Sequence, residues 1–268
     1  MNPLKYWNPE GFEISSYKYS LRERVNQTWT TSGGDSTGQC IYTYNELGFR
    51  GDSVKKEGFK VMSLGCSITE GVGVNDNETW PAQFCGHIKN GVNLNFGTGG
   101  RSNDFICRCL MSYYDLIKPD LVLIMYTFPH RREIYTENNE IEPYIPTKVW
   151  GKLLETEEGQ VIQSSMDKLQ NDNSDFINWY KNHQLIKLFL ESKKCNWLWD
   201  GKHLYSNYTE FNRFSLYDKI DFGKNGADSQ HPGPEHHKEY SQNLYDYINL
   251  KFPDYINLDS KNNKRKII

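Results

Sequence analysis

A serine follows the first apolar run of the chain, inside a glycine-rich segment. Residues 65–71 read GCSITEG and come directly after the run KVMSL at residues 60–64. A serine at such a strand-to-loop turn can project its hydroxyl outwards, and its own N–H can help to hold an oxyanion. Thr69 stands at the second glycine position of the G-x-S-x-G elbow, so the segment is not that motif. We predict Ser67 as a nucleophile, the alternative being a plain turn.

An acid and a histidine lie close together near the other end of the chain. Asp228 precedes His231 by three residues, so its carboxylate can reach the imidazole, fix its tautomer and stabilise its charged form. The alternatives are a surface loop with an incidental histidine and, because His236 and His237 follow, a metal site. No Cys or Asp accompanies these histidines at a recognisable ligand spacing. We therefore predict an Asp–His pair, with no metal and no cofactor.

A second glycine-rich segment joins an apolar run to the start of a helix. Residues 95–104 read NFGTGGRSND. Glycines let the backbone approach a ligand closely, and free N–H groups at a helix start favour an anion. An oxyanion or a phosphate would both fit, but the spacing differs from that of a phosphate-binding Walker loop. The alternative is again a plain turn.

Alternating strand and helix patterns surround these segments. Apolar runs predict strands and amphipathic spacing predicts helices, with Ser102 as an N-cap. Strands that alternate with helices indicate a parallel sheet covered on both faces, which binds ligands at the carboxyl ends of its strands. We interpret residues 135–173 as an insertion and residues 200–227 as an excursion with a short strand near Ile220. The predicted strands are 60–64, 92–96, 121–126 and 196–199, and the predicted helices are 79–88, 103–117, 176–190 and 234–250.

Composition and charge limit the classes of function. The net charge is −3, whereas a nucleic-acid-binding protein needs a basic face, so we predict no nucleic-acid partner. The sequence shows no signal peptide and no apolar run of about 18 residues, which predicts a cytoplasmic protein without a membrane partner. The six cysteines are scattered and are predicted to be reduced. Abundant Asn, Lys, Ile and Tyr indicate an AT-rich genome such as that of a phage. The oligomeric state is not predicted.

Three segments of the chain together resemble the SGNH/GDSL hydrolase family over residues 60–250. The family's G-D-S block appears as residues 65–67, its glycine block as residues 95–100 and its D-x-x-H block as residues 228–231. Residues 45–51 (NELGFRG) also resemble a segment that precedes the first block in some members. The resemblance implies a flavodoxin-like three-layer α/β/α sandwich, the SGNH hydrolase fold, with an N-terminal extension and loop insertions. The predicted parts are an extension (1–55) packed on the main domain (56–253) and a polar tail (254–268).

The resemblance also implies roles for individual residues. Ser67 would be the nucleophile, His231 the base and Asp228 the residue that orients His231. The main-chain N–H groups of Ser67 and Gly100 would hold the oxyanion. Asn103 is predicted to contact the substrate.

Two residues of the family pattern differ here. Cys66 replaces the Asp of the first block, which is not a triad member. The third block of the family is Gly-x-Asn-Asp, whose Asn donates to the oxyanion, but residues 127–133 read TFPHRRE. Losing one oxyanion donor typically costs about 10²–10³ in rate. We expect Thr127 or Arg131 to replace the Asn, and Arg131 could also bind an acidic substrate. The alternative is a structural ion pair between Arg131 and Glu133.

The function that these residues predict is hydrolysis of small O-acyl esters by a serine esterase or deacetylase. An acetyl group on a carbohydrate is the expected substrate, partly because Tyr205, Tyr208 and Phe211 could stack on a sugar. One alternative is an O-acyltransferase that uses the same triad. Another is a non-catalytic glycan-binding or structural protein on the same fold, which the missing Asn favours.

Overall fold

The computed structural model describes residues 24–32, 39–135, 141–144, 157–201, 226–228 and 230–256 of the 268-residue chain. The strands in these residues are β1 (Thr28–Ser32), β2 (Gln39–Thr43), β3 (Arg50–Gly51), β4 (Phe59–Leu64), β5 (Gly91–Asn95), β6 (Leu121–Tyr126), β7 (Arg132–Tyr135), β8 (Ile141–Tyr144) and β9 (Asn196–Gly201). The helices are α1 (Ser67–Glu70), α2 (Trp80–Gly86), α3 (Asn103–Ile117), α4 (Glu157–Leu169), α5 (Asp172–Ser192) and α6 (Pro234–Lys251), with 3₁₀ turns at Asp76–Glu78 and Pro253–Tyr255.

The central sheet has five strands in the order β3-β5-β4-β6-β9. The last four are mutually parallel, and β3 pairs with β5 in the antiparallel direction. All six residues of β6 are buried, as expected for an inner parallel strand that is covered on both faces. The carboxyl ends of the four parallel strands therefore meet at one edge of the sheet.

Helices cover both faces of this sheet and form two apolar cores. On one face, Met62, Leu64 and Ile124 pack with Phe105 of α3 and Trp179 of α5. On the other face, alternate strand residues such as Val61 and Leu123 pack against the helices. Their partners include Phe84 of α2 and Tyr240 and Leu244 of α6. Alternation along each strand thus divides the apolar side chains between two layers. The three-layer α/β/α sandwich that the sequence predicted is confirmed.

The predicted elements occur close to the expected bounds. The strand at 121–126 and the helix at 103–117 are found as predicted, and the other three predicted strands and three predicted helices differ by a few residues at their ends. Ser102 is the N-cap of α3, since its side chain accepts the N–H of Phe105. Residues 135–173, predicted as an insertion, contain part of the β7–β8 hairpin, all of α4 and the first residues of α5. The predicted strand near Ile220 lies outside the described residues.

The N-terminal part of the chain contributes more than a separate extension. Strands β1 and β2 form an antiparallel hairpin beside the sandwich. Arg50 and Gly51 then join the central sheet as β3, in register with Asn95 and Leu94 of β5. None of the helices in the described part of the chain is long and apolar enough to cross a membrane, and none of the six cysteines forms a disulfide.

Candidate active site

The turn that carries Ser67 begins at the carboxyl end of β4. Ser67 is the first residue of α1, a single helical turn that Gly71 ends in the left-handed conformation with φ of 81°. The glycine loop after β5 lies directly on this turn: a Cβ built on Gly97 would stand 2.2 Å from the main-chain nitrogen of Glu70. Only glycine allows such an approach, because any side chain would overlap the backbone of α1.

The loop after β5 is held to the Ser67 turn by main-chain donors. The N–H of Gly97 donates to Asn95 Oδ1 at 2.9 Å, and the N–H of Thr98 donates to the carbonyl of Gly65 at 3.2 Å. The N–H of Gly99 donates to Glu70 Oε2 at 2.6 Å. Three consecutive N–H groups are therefore bonded to protein acceptors, which fixes the path of the loop.

Two main-chain donors at this edge of the sheet remain open. Within the described residues, the N–H groups of Ser67 and Gly100 have no hydrogen-bond acceptor. Gly100 has φ of 73°, a conformation that favours glycine. Both residues are half-buried, and a main-chain N–H without a protein acceptor can donate to a developing oxyanion.

Asp228 and His231 form a hydrogen-bonded pair. Asp228 Oδ2 lies 2.5 Å from His231 Nδ1. Its other oxygen accepts the main-chain N–H groups of Gln230 at 3.1 Å and His231 at 3.0 Å. Burial raises the pKa of Asp228, but these hydrogen bonds outweigh it and the net pKa is below its usual value. The carboxylate is thus ionised at neutral pH and can hold the imidazole with Nδ1 protonated.

Hydrogen bonds connect this pair to the segment that follows Ser67. The N–H of Ala227 donates to the carbonyl of Gly73 at 2.8 Å. A Cβ on Gly73 would stand 2.9 Å from Asp228 Oδ1, so the two segments are in close contact. Among the described residues, no hydrogen bond joins Ser67 Oγ to His231. In enzymes without substrate such bonds are often long, and they tighten when the substrate binds.

Cys66 receives hydrogen bonds from the loop after β6. Thr127 Oγ1 donates to Cys66 Sγ at 3.3 Å, and Arg131 Nη1 lies 3.5 Å from the same sulfur and 3.0 Å from Thr127 Oγ1. The Arg131 guanidinium also lies over the Phe128 ring, 5.0 Å from its centroid. Burial raises the pKa of Cys66, but the charge of Arg131 and the hydrogen bonds to the sulfur outweigh this effect. The net pKa of Cys66 is therefore below its usual value. The loops after β4 and β6 therefore meet beside Ser67.

The structure contradicts the ion pair considered between Arg131 and Glu133. Glu133 instead pairs with Arg108 of α3 at 2.6 Å, and both side chains are at most 2% exposed. The main-chain N–H of Glu133 also donates to Asp104 at 3.0 Å. Strand β7 thus turns Glu133 towards α3 and away from Arg131.

Asn103 is buried beneath the same loop. Its Nδ2 donates to the carbonyl of Thr127 at 3.1 Å, and its Oδ1 accepts the N–H of Thr127 at 3.0 Å. Both ends of the amide are therefore engaged with the main chain that follows β6. The predicted contact between Asn103 and substrate stays a prediction, and the geometry indicates that Asn103 supports the Thr127 loop.

His237 is enclosed between α6 and α2. It is fully buried, and its Nδ1 accepts the N–H of Trp80 at 3.1 Å. Burial lowers the pKa of His237 to about 3, so the ring is neutral. The described residues contain no group of three or more Asp, Glu, His or Cys side chains that could hold a metal ion.

Sequence reasoning missed two buried charged residues beside Ser67. One is Glu70, whose buried carboxylate accepts the Gly99 N–H. The other is Arg50, whose Nη1 donates to the carbonyls of Glu70 at 2.8 Å and Gly71 at 2.7 Å and so caps α1. A signal for Arg50 was present in residues 45–51, but the motif alone did not indicate its partner.

Comparisons with known proteins found similarity only to solved structures. No family model matches the chain, and no curated protein matches it. One similar solved structure is a protein assigned to the G-D-S-L lipolytic family from Desulfitobacterium hafniense DCB-2, with 14% identity over 70% of this chain and 99% of that chain and a TM-score of 0.32. Another is a gut microbial diltiazem-metabolizing enzyme, with 13% identity over 75% of this chain, 36% of that chain and a TM-score of 0.32.

Proposed function

We propose that the chain is a serine hydrolase that cleaves small O-acyl esters, with Ser67, His231 and Asp228 as its triad. The observation that carries the proposal is the Asp228–His231 pair at 2.5 Å, on a loop bonded to the segment just after Ser67. An ionised carboxylate on Nδ1 leaves Nε2 as an acceptor, which is the tautomer that a general base needs.

The reaction follows from these positions. His231 takes the proton of Ser67 Oγ as the oxygen attacks the ester carbonyl, and Asp228 stabilises the resulting imidazolium. The open N–H groups of Ser67 and Gly100 receive the negative charge on the carbonyl oxygen. His231 then protonates the leaving alcohol, and water releases the acyl group from Ser67 by the same steps in reverse. An acetyl group on a carbohydrate remains our proposed substrate; Tyr205, Tyr208 and Phe211 lie outside the described residues.

Arg131 is the better candidate for the third oxyanion donor. Thr127 has a single hydroxyl proton and donates it to Cys66 Sγ. Arg131 uses Nη1 for its contacts with Thr127 and Cys66, and its Nη2 has no acceptor among the described residues. A guanidinium group has five N–H donors, so it can hold the loop and still offer a donor to the substrate.

A fluorophosphonate probe tests the proposed function directly, because only an activated serine reacts quickly with it. We expect stoichiometric labelling of the wild-type protein and, after digestion and peptide mass mapping, a single modified serine at position 67. Absence of labelling, under conditions that label a known serine esterase, would contradict the proposal and favour a non-catalytic binding protein.

Substitution of Arg131 tests its assigned role. We expect Arg131→Met to lower kcat for a chromogenic acetate ester by about 10²-fold, which is the usual loss for one oxyanion donor. Arg131→Lys keeps the charge without the planar set of donors and should recover only part of the rate. Kinetics of the two variants and of Thr127→Val provide the measurement. A larger loss of kcat in Thr127→Val than in Arg131→Met would assign the donor to Thr127 instead.

A further inference from the structure

Glu70 is a buried carboxylate in the wall of the candidate site. It is the last residue of α1, three positions after Ser67, and is only 3% exposed. A carboxylate removed from water is strongly unfavourable unless charged or hydrogen-bonding groups compensate it. The carboxylate of Glu70 therefore needs partners within the protein.

The two oxygens of Glu70 have different partners. Oε2 accepts the main-chain N–H of Gly99 at 2.6 Å. Oε1 accepts from Arg24 Nη1 at 2.8 Å and from the Tyr44 hydroxyl at 3.4 Å. Burial and the charge of Glu70 raise the pKa of Tyr44, so Tyr44 keeps the proton that it donates. Arg24 thus neutralises the charge of Glu70 at Oε1. Oε2 is bonded to the glycine loop after β5.

The contact with Gly99 bears on the residue that follows it. With its N–H turned to Glu70, Gly99 is not available to an oxyanion, and Gly100 supplies the open N–H of the loop. Oxyanion stabilisation depends on donors that are fixed before the reaction begins. Glu70 belongs to the same helical turn as Ser67, so its bond to Gly99 joins two segments. One is the loop that carries the open N–H of Gly100, and the other is the turn that carries the open N–H of Ser67.

We propose that Glu70 is a positioning residue that sets the Gly100 N–H relative to Ser67 for oxyanion binding. This inference rests on the proposed serine hydrolase function. Glu70 acts through the loop and does not itself contact the reacting atoms. Its loss should therefore weaken transition-state stabilisation while substrate binding is preserved.

Two substitutions of Glu70 and one matched control test the inference. We expect Glu70→Ala to lower kcat for a chromogenic acetate ester by about 10²-fold, with KM within about threefold of the wild-type value. Glu70→Gln retains a carbonyl oxygen that can accept the Gly99 N–H, so its kcat should be at least tenfold higher than that of Glu70→Ala. The pH profile of kcat/KM should keep its shape in both variants, since the triad is unchanged.

The control is Asp120→Ala. Asp120 Oδ2 also accepts a main-chain N–H, that of Lys60 at 2.9 Å, but at the opposite edge of the sheet. This variant should lower the urea midpoint of unfolding and leave kcat within about twofold, because the candidate site is remote from it.

The outcomes separate this inference from the proposed function. If wild-type protein is not labelled by the fluorophosphonate and does not turn over the ester, the function fails and the inference fails with it. If the wild type is active and folded Glu70→Ala has an unchanged kcat, only the role of Glu70 is overturned. A rise in KM without a fall in kcat would also overturn it. Should the alanine variant not fold, Glu70→Leu replaces it, because leucine fills the space but cannot accept the Gly99 N–H: a lower kcat with unchanged KM supports the role, and an unchanged kcat rejects it.

Discussion

Replacing Ser67 with alanine is expected to reduce turnover of a chromogenic acetate ester to the background rate. Loss of the nucleophile in a comparable triad lowers kcat by about 10⁶-fold, and the residual rate comes from the oxyanion site and from substrate binding. Since the only hydrogen-bonding contact of Ser67 Oγ with other described residues is the one with Cys66 Sγ at 3.7 Å, its removal should cost little stability. Steady-state kinetics and a urea titration measure the two effects.

Ser63→Ala is the matched control for that experiment. Ser63 lies on β4, four residues before Ser67; it is fully buried and its hydroxyl has no hydrogen-bond partner among the described residues. The same chemical change at this site should leave kcat within about twofold, because the side chain is remote from the reacting atoms. Equal rates in Ser67→Ala and wild type would exclude Ser67 as the nucleophile.

Substituting Asp228 with asparagine is expected to lower kcat by about 10⁴-fold while the loop keeps its structure. The amide oxygen can still accept the N–H groups of Gln230 and His231, which the carboxylate accepts now. The amide NH₂ group would face His231 Nδ1 and favour protonation of Nε2, which could then no longer take the proton of Ser67. Kinetics together with circular dichroism distinguish this result from unfolding.

Asp115→Asn is the surface control for the Asp228 substitution. Asp115 pairs with Lys193 at 2.6 Å, but its side chain is 73% exposed, and exposed ion pairs contribute little to stability. We expect wild-type kcat in this variant. A fall in kcat of less than tenfold for Asp228→Asn would show that His231 does not depend on Asp228 for its tautomer.

The lowered pKa of Asp228 predicts the pH dependence of its contribution to stability. A carboxyl whose pKa is lower in the folded state stabilises the protein above its unfolded pKa of about 3.9, and this contribution is lost as the pH falls through the folded value. The difference in unfolding midpoint between wild type and Asp228→Asn should therefore be present at about pH 5 and shrink below about pH 4. A difference that grows below pH 4 would contradict the sign of the shift.

Local sequence signals predicted the core of the fold well. The run at 121–126 is apolar throughout, and only a strand buried on both faces accommodates it. The cap at Ser102 and the proximity of Asp228 to His231 depend on neighbours within three residues, so the sequence contains the whole interaction. The loops after the four predicted strands were expected to meet, because parallel strands place their carboxyl ends together.

Contacts between distant residues could not be predicted in the same way. Arg24 and Glu70 are 46 residues apart, and no periodicity indicates that they pair. The pair of Arg131 and Glu133, considered as an alternative, was wrong because β7 directs Glu133 to Arg108, 25 residues earlier in the chain. Buried charges choose partners by tertiary packing, and a single sequence does not encode that choice in its spacing.

Strand β3 has a consequence for how an edge of the central sheet is covered. It is only two residues long, yet it occupies the outer edge of β5, with the Cα partners Arg50–Asn95 and Gly51–Leu94. An unpaired strand edge exposes a row of main-chain donors and acceptors to other chains and is a template for aggregation. By covering β5 with a segment from the N-terminal part, the protein protects that edge from intermolecular pairing. A truncation that began after Gly51 would remove this protection and leave Ser67, Asp228 and His231 in the chain.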